Sequence, residues 1–121
     1  MEKAKLQSSE ILISRFAAQA GEAVSLLKAM ANQSRLLILC YLAEAGEMSV
    51  GELVDRVGLS QSALSQHLAK LREEGLVSTR KEAQTVHYSV CDPKAGQLLA
   101  LLHNLFCPEL GQTGDTSSNR S

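Results

Sequence analysis

Along the chain, apolar residues recur at helical spacing in four blocks, switch to alternation, then return to helical spacing. The spacing predicts a first helical region from about Ser9 to Ala31, with Gly21 as the point where it could break. A second helix is expected over Gln33 to Ala45 (QSRLLILCYLAEA), apolar almost all round and therefore central. Ser49 and Glu52 stand three apart ahead of an apolar turn, the signature of a capping box, which opens a short third helix ending at Gly58. Ser60 can cap a fourth, running from Gln61 to about Glu74. Gly46, Gly58 and Gly75 each follow one of these blocks, where helices tend to stop.

The period then changes. Leu76 to Lys81 and Thr85 to Val90 hold β-branched residues in partial alternation around Glu82, Ala83 and Gln84, which reads as a two-stranded hairpin. Asp92 and Pro93 supply an N-cap and a favoured first position for a last helix. Its apolar stripe is Leu98, Leu99, Leu102, Leu105 and Phe106. The expected class is mainly α with a small β-hairpin wing, in the order α-α-α-α-β-β-α. Two short helices joined at Gly58-Leu59-Ser60 and followed by a β-ribbon make a winged helix-turn-helix. Residues 1–8 are read as a flexible N-terminus, 9–110 as one folded unit, and 111–121 (GQTGDTSSNRS) as a disordered polar tail.

The fourth helix bears on function. Leu64, Leu68 and Leu71 must face the core, which turns Gln61, Ser62, Ser65 and Gln66 outward. Amide, hydroxyl and imidazole groups offer directional donors and acceptors that match base edges, whereas Lys and Arg mainly hold phosphates. Base-edge contacts are therefore assigned to Gln61, Ser62, Ser65, Gln66 and His67. Phosphate contacts fall to Ser60, Lys70, Arg72 and the wing residues Arg80, Lys81 and Gln84. The plainer reading is serines that only cap and cations that only solvate a surface.

Charge sharpens this picture. The net charge of −1 argues against a basic, sequence-blind nucleic-acid binder. Between Arg56 and Lys81, however, five cations face two acids, a local excess of three that fits a directed footprint on double-stranded DNA. No apolar run approaches the roughly 20 residues that cross a bilayer, and no charged-then-apolar leader ends in a cleavage site, so a cytoplasmic location without membrane contact is expected. Aromatics make up only 3% and Trp is missing, so the core is aliphatic.

Cys40, Cys91 and Cys107 form neither CxxC nor CxC and start as free thiols in a reducing compartment. One helical turn from Cys40 lie Leu36, Leu37, Ala43 and Glu44; one turn before Cys107 lie His103 and Asn104. Both thiols thus sit where apolar and polar faces meet, which leaves them reachable. The alternative is that each is a small buried hydrophobe. Cys91 reads as a wing-end residue, packed or incidental. No Gly-rich oxyanion loop or base-and-orienter set accompanies Cys91 or Cys107, so a thiol enzyme is disfavoured, and no cofactor is expected.

At LLKAMANQSRLLILCYL (26–42), MSVGELVDRVGLSQSALSQHLAKLREEGLVSTRK (48–81) and TVHYSV (85–90) the chain resembles the ArsR/SmtB family of bacterial winged-helix regulators. The resemblance implies a homodimer, built through the first and last helices, that binds an imperfect palindrome and leaves it when an inducer is sensed. The family's thiolate metal site would fall on Gly51-Glu52-Leu53-Val54-Asp55, which has no cysteine. Its last-helix site finds only His103 and Asp92, short of the four ligands Zn²⁺ usually takes. KEAQTV (81–86) and LLHNLFC (101–107) extend the likeness to the family's thiol-sensing branch. That branch implies Cys40 and Cys107 as a redox pair, bridged by a disulfide or short polysulfide in response to persulfides, other reactive sulfur species or oxidants. Two alternatives stay open: a Zn- or Cd-responsive repressor using Cys107, His103 and Cys91, and an activator that displaces a silencing nucleoid protein.

Overall fold

Asn32 ends one helix and starts the next. Its backbone is extended (φ −154°, ψ 127°) and its side chain accepts the Arg35 N–H at 3.0 Å, so the helical ladder stops and reopens there. Arg35 reaches back in turn, donating from Nε to the Ala29 carbonyl at 2.7 Å and so satisfying an acceptor at the end of the preceding helix. The computed structural model describes residues 2–107, with side chains from Ser8 onward; the segment 111–121 lies outside the described residues.

The elements follow in the expected order: α1 (Glu2–Met30), α2 (Gln33–Ala45), β1 (Met48–Ser49), α3 (Val50–Val57), α4 (Gln61–Glu73), β2 (Val77–Glu82), β3 (Thr85–Val90) and α5 (Pro93–Phe106). Three details differ from the sequence reading. The first helix begins at Glu2 rather than near Ser9, and it passes through Gly21 without a break. An interior glycine costs a helix only about 1 kcal/mol relative to alanine, and Ala17, Ala18, Ala20 and Ala23 around it are strong helix formers. The wing is a three-stranded antiparallel sheet in the order β1-β3-β2, because Met48 and Ser49 pair with Tyr88 and His87.

The capping box forms as read. Glu52 N–H donates to Ser49 Oγ at 3.2 Å and Ser49 N–H donates to Glu52 Oε1 at 2.9 Å. These bonds from the Ser49 backbone and hydroxyl hold the Glu52 carboxyl below the usual carboxylate range. Asp92 caps α5 in the same manner, accepting the Lys94 N–H at 2.8 Å.

The hairpin turns in two residues, since Glu82 pairs with Thr85 and only Ala83 and Gln84 lie between. Ala83 sits at φ 56°, in the left-handed region that an L side chain enters at a cost of about 1–2 kcal/mol. Glycine there avoids the clash and gives back about 0.5–1 kcal/mol in chain entropy. Ala83→Gly should therefore raise stability by up to about 1 kcal/mol. Urea unfolding would show this as a higher midpoint at unchanged slope; a lower midpoint contradicts it.

One aliphatic core joins the helices to the wing. Ile38, Leu39 and Leu42 of α2, Leu53 of α3, and Leu64, Leu68 and Leu71 of α4 are fully buried, with Leu76, Val77, Ala95 and Leu99 beside them. Each buried leucine contributes about 1.5–3 kcal/mol by leaving water. The same core fixes the orientation of α4, because three of its leucines are locked inward. Two helices, by contrast, leave apolar side chains outside it. Ile13, Phe16, Val24 and Leu27 of α1 and Leu101, Leu105 and Phe106 of α5 are exposed, the last at 78%.

Candidate nucleic-acid interface and thiol pair

With Leu64, Leu68 and Leu71 buried, the opposite face of α4 is settled. Gln61, Ser62, Ser65 and Gln66 are exposed, while His67 is half-buried on the shoulder of the helix. Ser60 caps α4, its Oγ accepting the Ala63 N–H at 3.1 Å. That bond leaves the other N–H groups of the first turn facing outward at the positive end of the helix dipole, a suitable seat for a phosphate. Lys70 pairs with Glu74 at 3.6 Å, an exposed i,i+4 contact that a phosphate can outcompete.

Arg72 and Ser65 line one groove with Ala69, Glu73 and Tyr88, enclosing about 430 Å³ between α4 and the wing. Tyr88 was missed by the sequence reading, where TVHYSV is only a strand. A phenol on a strand next to a polar helix face is the one signal that could have found it. The groove sets Tyr88 of β3 beside Ser65 and Arg72 of α4.

The wing residues divide. Lys81 and Gln84 are exposed, and Lys81 has no ion pair among the described residues. Arg80 is paired within the protein. Its Nε donates to Glu47 Oε2 at 2.9 Å and its Nη2 to Glu47 Oε1 at 2.8 Å, a two-pronged fork, with Glu82 Oε1 a further 3.5 Å from Nη2. Hydrogen bonding from Arg80 holds the Glu47 carboxyl below the usual range, and Glu47 pushes the guanidinium further above its own. His87 is half-buried with Nε2 3.5 Å from Glu82 Oε1. Nothing in the sequence marks Glu47, which follows Gly46 as an ordinary loop acid would.

The two cysteines singled out for redox chemistry lie on packed elements, since α2 rests against α5. Cys40 is half-buried at the edge of the core, and Cys107 is the half-buried C-cap of α5, its N–H donating to the His103 carbonyl at 2.7 Å. Burial pushes the Cys40 thiol up, and the charge of a nearby Cys107 thiolate pushes it further the same way. The fold thus places two cysteines that are remote in sequence on one pair of packed elements. Cys91 has a different setting. It is exposed, and its Sγ donates to the Gly75 carbonyl at 3.4 Å, at the turn between α4 and β2. Among the described residues, no three of His, Cys, Asp and Glu gather closely enough to hold a metal ion. No helix among them is long and apolar enough to cross a membrane.

Residues 32–79 match the family model described as bacterial regulatory protein, arsR family. The transcriptional activator HlyU of Vibrio cholerae serotype O1 is 60% identical over 86 residues, covering 71% of this chain and 79% of that protein. A structure of reduced HlyU from V. cholerae N16961 superposes with a TM-score of 0.73 at 56% identity, over 77% of this chain and 97% of the other. The transcriptional repressor BigR from Xylella fastidiosa gives the same TM-score at 40% identity, over 78% and 95%.

Proposed function

Since the chain belongs to the arsR family of bacterial regulatory proteins and is a DNA-binding transcriptional regulator, we propose that its grip on an operator is switched by a sulfur bridge between Cys40 and Cys107. The observation that carries this reading is placement: α2 packs on α5, and the thiol on each side of that contact is half-buried rather than sealed. The structure of reduced HlyU from V. cholerae, a relative, is in keeping with this reading.

The chemistry proceeds in two steps. A Cys107 thiolate takes the outer sulfur of a persulfide, releasing the donor thiolate and leaving Cys107–S–SH. The Cys40 thiolate then attacks Cys107 Sγ, forming the Cys40–Cys107 bond and expelling hydrosulfide. A direct disulfide needs Cα atoms within about 7 Å, and each extra sulfur retained in the bridge relaxes that limit. Attack by Cys40 is slowed because its thiol stays protonated to higher pH than an ordinary one.

The working unit is a homodimer in which the exposed apolar faces of α1 and α5 cover one another. Two copies of α4 then enter successive major grooves about 34–36 Å apart. Because Cys107 ends α5, a bridge to α2 acts on the dimer contact and shifts the two recognition helices out of spacing. On α4, Gln61, Ser62, Ser65 and Gln66 read base edges. Ser60, Lys70, Arg72, Lys81 and Gln84 hold phosphates, and Tyr88 assists from the wing. Relatives of both signs exist, an activator and a repressor, so the bridge sets occupancy and promoter context sets the direction.

Mass spectrometry of a non-reducing digest after polysulfide treatment tests the bridge directly. The peptides holding Cys40 and Cys107 should appear linked, with zero or more added sulfurs, in wild type and Cys91→Ser. Linkage through Cys91 instead, or none at all, would refute the assignment.

A further inference from the structure

Arg80 belongs to the wing, where a cation would ordinarily meet DNA phosphate, yet the fold supplies it with an internal carboxylate. Arg80 pairs across the sheet with His87, and His87 with Ser49, so the three lie in one row over β2, β3 and β1. The Arg80 and Glu47 side chains together bridge two strand spacings, about 9–10 Å, across β3 to meet just before β1. Glu47 is itself pinned. Gly46 before it donates its N–H to the Leu42 carbonyl at 2.7 Å, and Met48 after it is buried. The carboxylate is thus held ready by the main chain on both sides.

A two-pronged Arg–carboxylate contact has the geometry that Arg uses on phosphate, and the same prongs cannot serve both. With Glu82 beside them, the patch holds two acids around one guanidinium, so an approaching phosphate meets repulsion as well as a competitor. Lys81 next to it carries no such partner among the described residues. We propose that Glu47 is an internal stand-in for phosphate: it occupies the Arg80 fork and so lowers the part of DNA affinity that does not depend on sequence. Arg80 is a positioned wing residue and not a DNA ligand in the resting protein.

This arrangement matters for a switch that works through fit. Phosphate contacts hold any duplex, whether or not the recognition helices are in register. A large uniform grip would keep the switched-off form on DNA after its specific contacts had gone. Glu47 keeps that background low.

The inference rests on the chain's binding to duplex DNA, and the test separates the two. Affinities are measured across a salt series on a duplex enriched from a random library by the wild-type protein, and on a scrambled duplex of equal length. Wild type, Glu47→Gln, Arg80→Gln and the double variant are compared, with folding checked by circular dichroism. Glu47→Gln should bind both duplexes more tightly and steepen the log–log salt slope by about 0.9, the value for one added phosphate contact. That slope corresponds to roughly 3.5-fold more affinity lost between about 50 and 200 mM salt. Arg80→Gln alone should leave the slope unchanged, and the double variant should return to it. If Arg80→Gln alone flattens the slope by about that amount, Arg80 already holds phosphate and the proposal fails. It fails equally if Glu47→Gln leaves the slope unchanged or weakens binding, since Glu47 would then be a strut for the wing. A wild type that binds neither duplex would overturn the DNA-binding premise as well.

Discussion

Polysulfide treatment should lower the affinity of the wild-type protein for its selected duplex by about 5- to 150-fold, the range that couplings of about 1–3 kcal/mol produce. Cys40→Ser and Cys107→Ser should keep their affinity under the same treatment, and Cys91→Ser should still switch. A thiol reductant should restore binding, because the bridge is the only covalent change required. The expected size follows from where the sulfurs sit. Cys40 belongs to the central helix α2, and its neighbours Leu39 and Leu42 are locked in the core, so α2 cannot move to meet its partner. The movable side is the end of α5, where Leu105 and Phe106 are exposed just ahead of Cys107. Closing the bridge therefore redirects the terminal turn of a helix assigned to the dimer contact.

Its pH dependence has a definite sign. Burial and the neighbouring Cys107 raise the Cys40 pKa, so the Cys40 thiolate is scarce at neutral pH and its fraction grows as pH rises. Bridge closure should speed up about tenfold per pH unit through neutrality and still be climbing steeply near pH 8.5, where an ordinary thiol is already about half ionised. Stopped samples analysed by non-reducing mass spectrometry give the rate. A rate that plateaus below the ordinary thiol range would mean that Cys40 is not the attacking sulfur in the closing step. Equal loss of affinity in wild type and Cys40→Ser would remove the bridge as the switch.

How much of this could be read from residues alone depends on the range of the interaction. The Ser49–Glu52 box, the Ser60 and Asp92 caps and the inward leucines of α4 are local: each is set by neighbours within one helical turn, and the structure places each as the sequence implies. The strand Met48–Ser49 is too short to show alternation, and its existence depends on Tyr88 and His87 some forty residues away. The Glu47–Arg80 fork is hidden for the same reason, because pairing across a sheet leaves no mark on the spacing of the partners. The thiols fall between these cases. Helical spacing predicted that Cys40 and Cys107 would each sit at a polar–apolar boundary, and both are half-buried. That both belong to one packed pair of elements is a consequence of α2 resting against α5, which periodicity does not encode. Gly21 shows the limit of a local signal: a residue where the helix could break is carried through by the alanines around it.

The assignment of base-edge and phosphate roles makes the other large prediction. Gln61→Ala and Gln66→Ala should each lose about 1–3 kcal/mol on the selected duplex, or roughly 5- to 150-fold, and almost nothing on a scrambled one. Both side chains are exposed on the face opposite three fully buried leucines, so truncation leaves the core untouched and thermal stability near that of the wild type. Lys81→Gln should behave differently. As an exposed wing cation without an internal partner among the described residues, it should lose affinity equally on both duplexes and flatten the salt slope by about 0.9. The contrast is the test, because a general disturbance of α4 would weaken both duplexes together. If Gln61→Ala and Gln66→Ala fall equally on selected and scrambled DNA, the polar face of α4 is not reading sequence. The discrimination would then have to come from the wing or from the shape of the duplex.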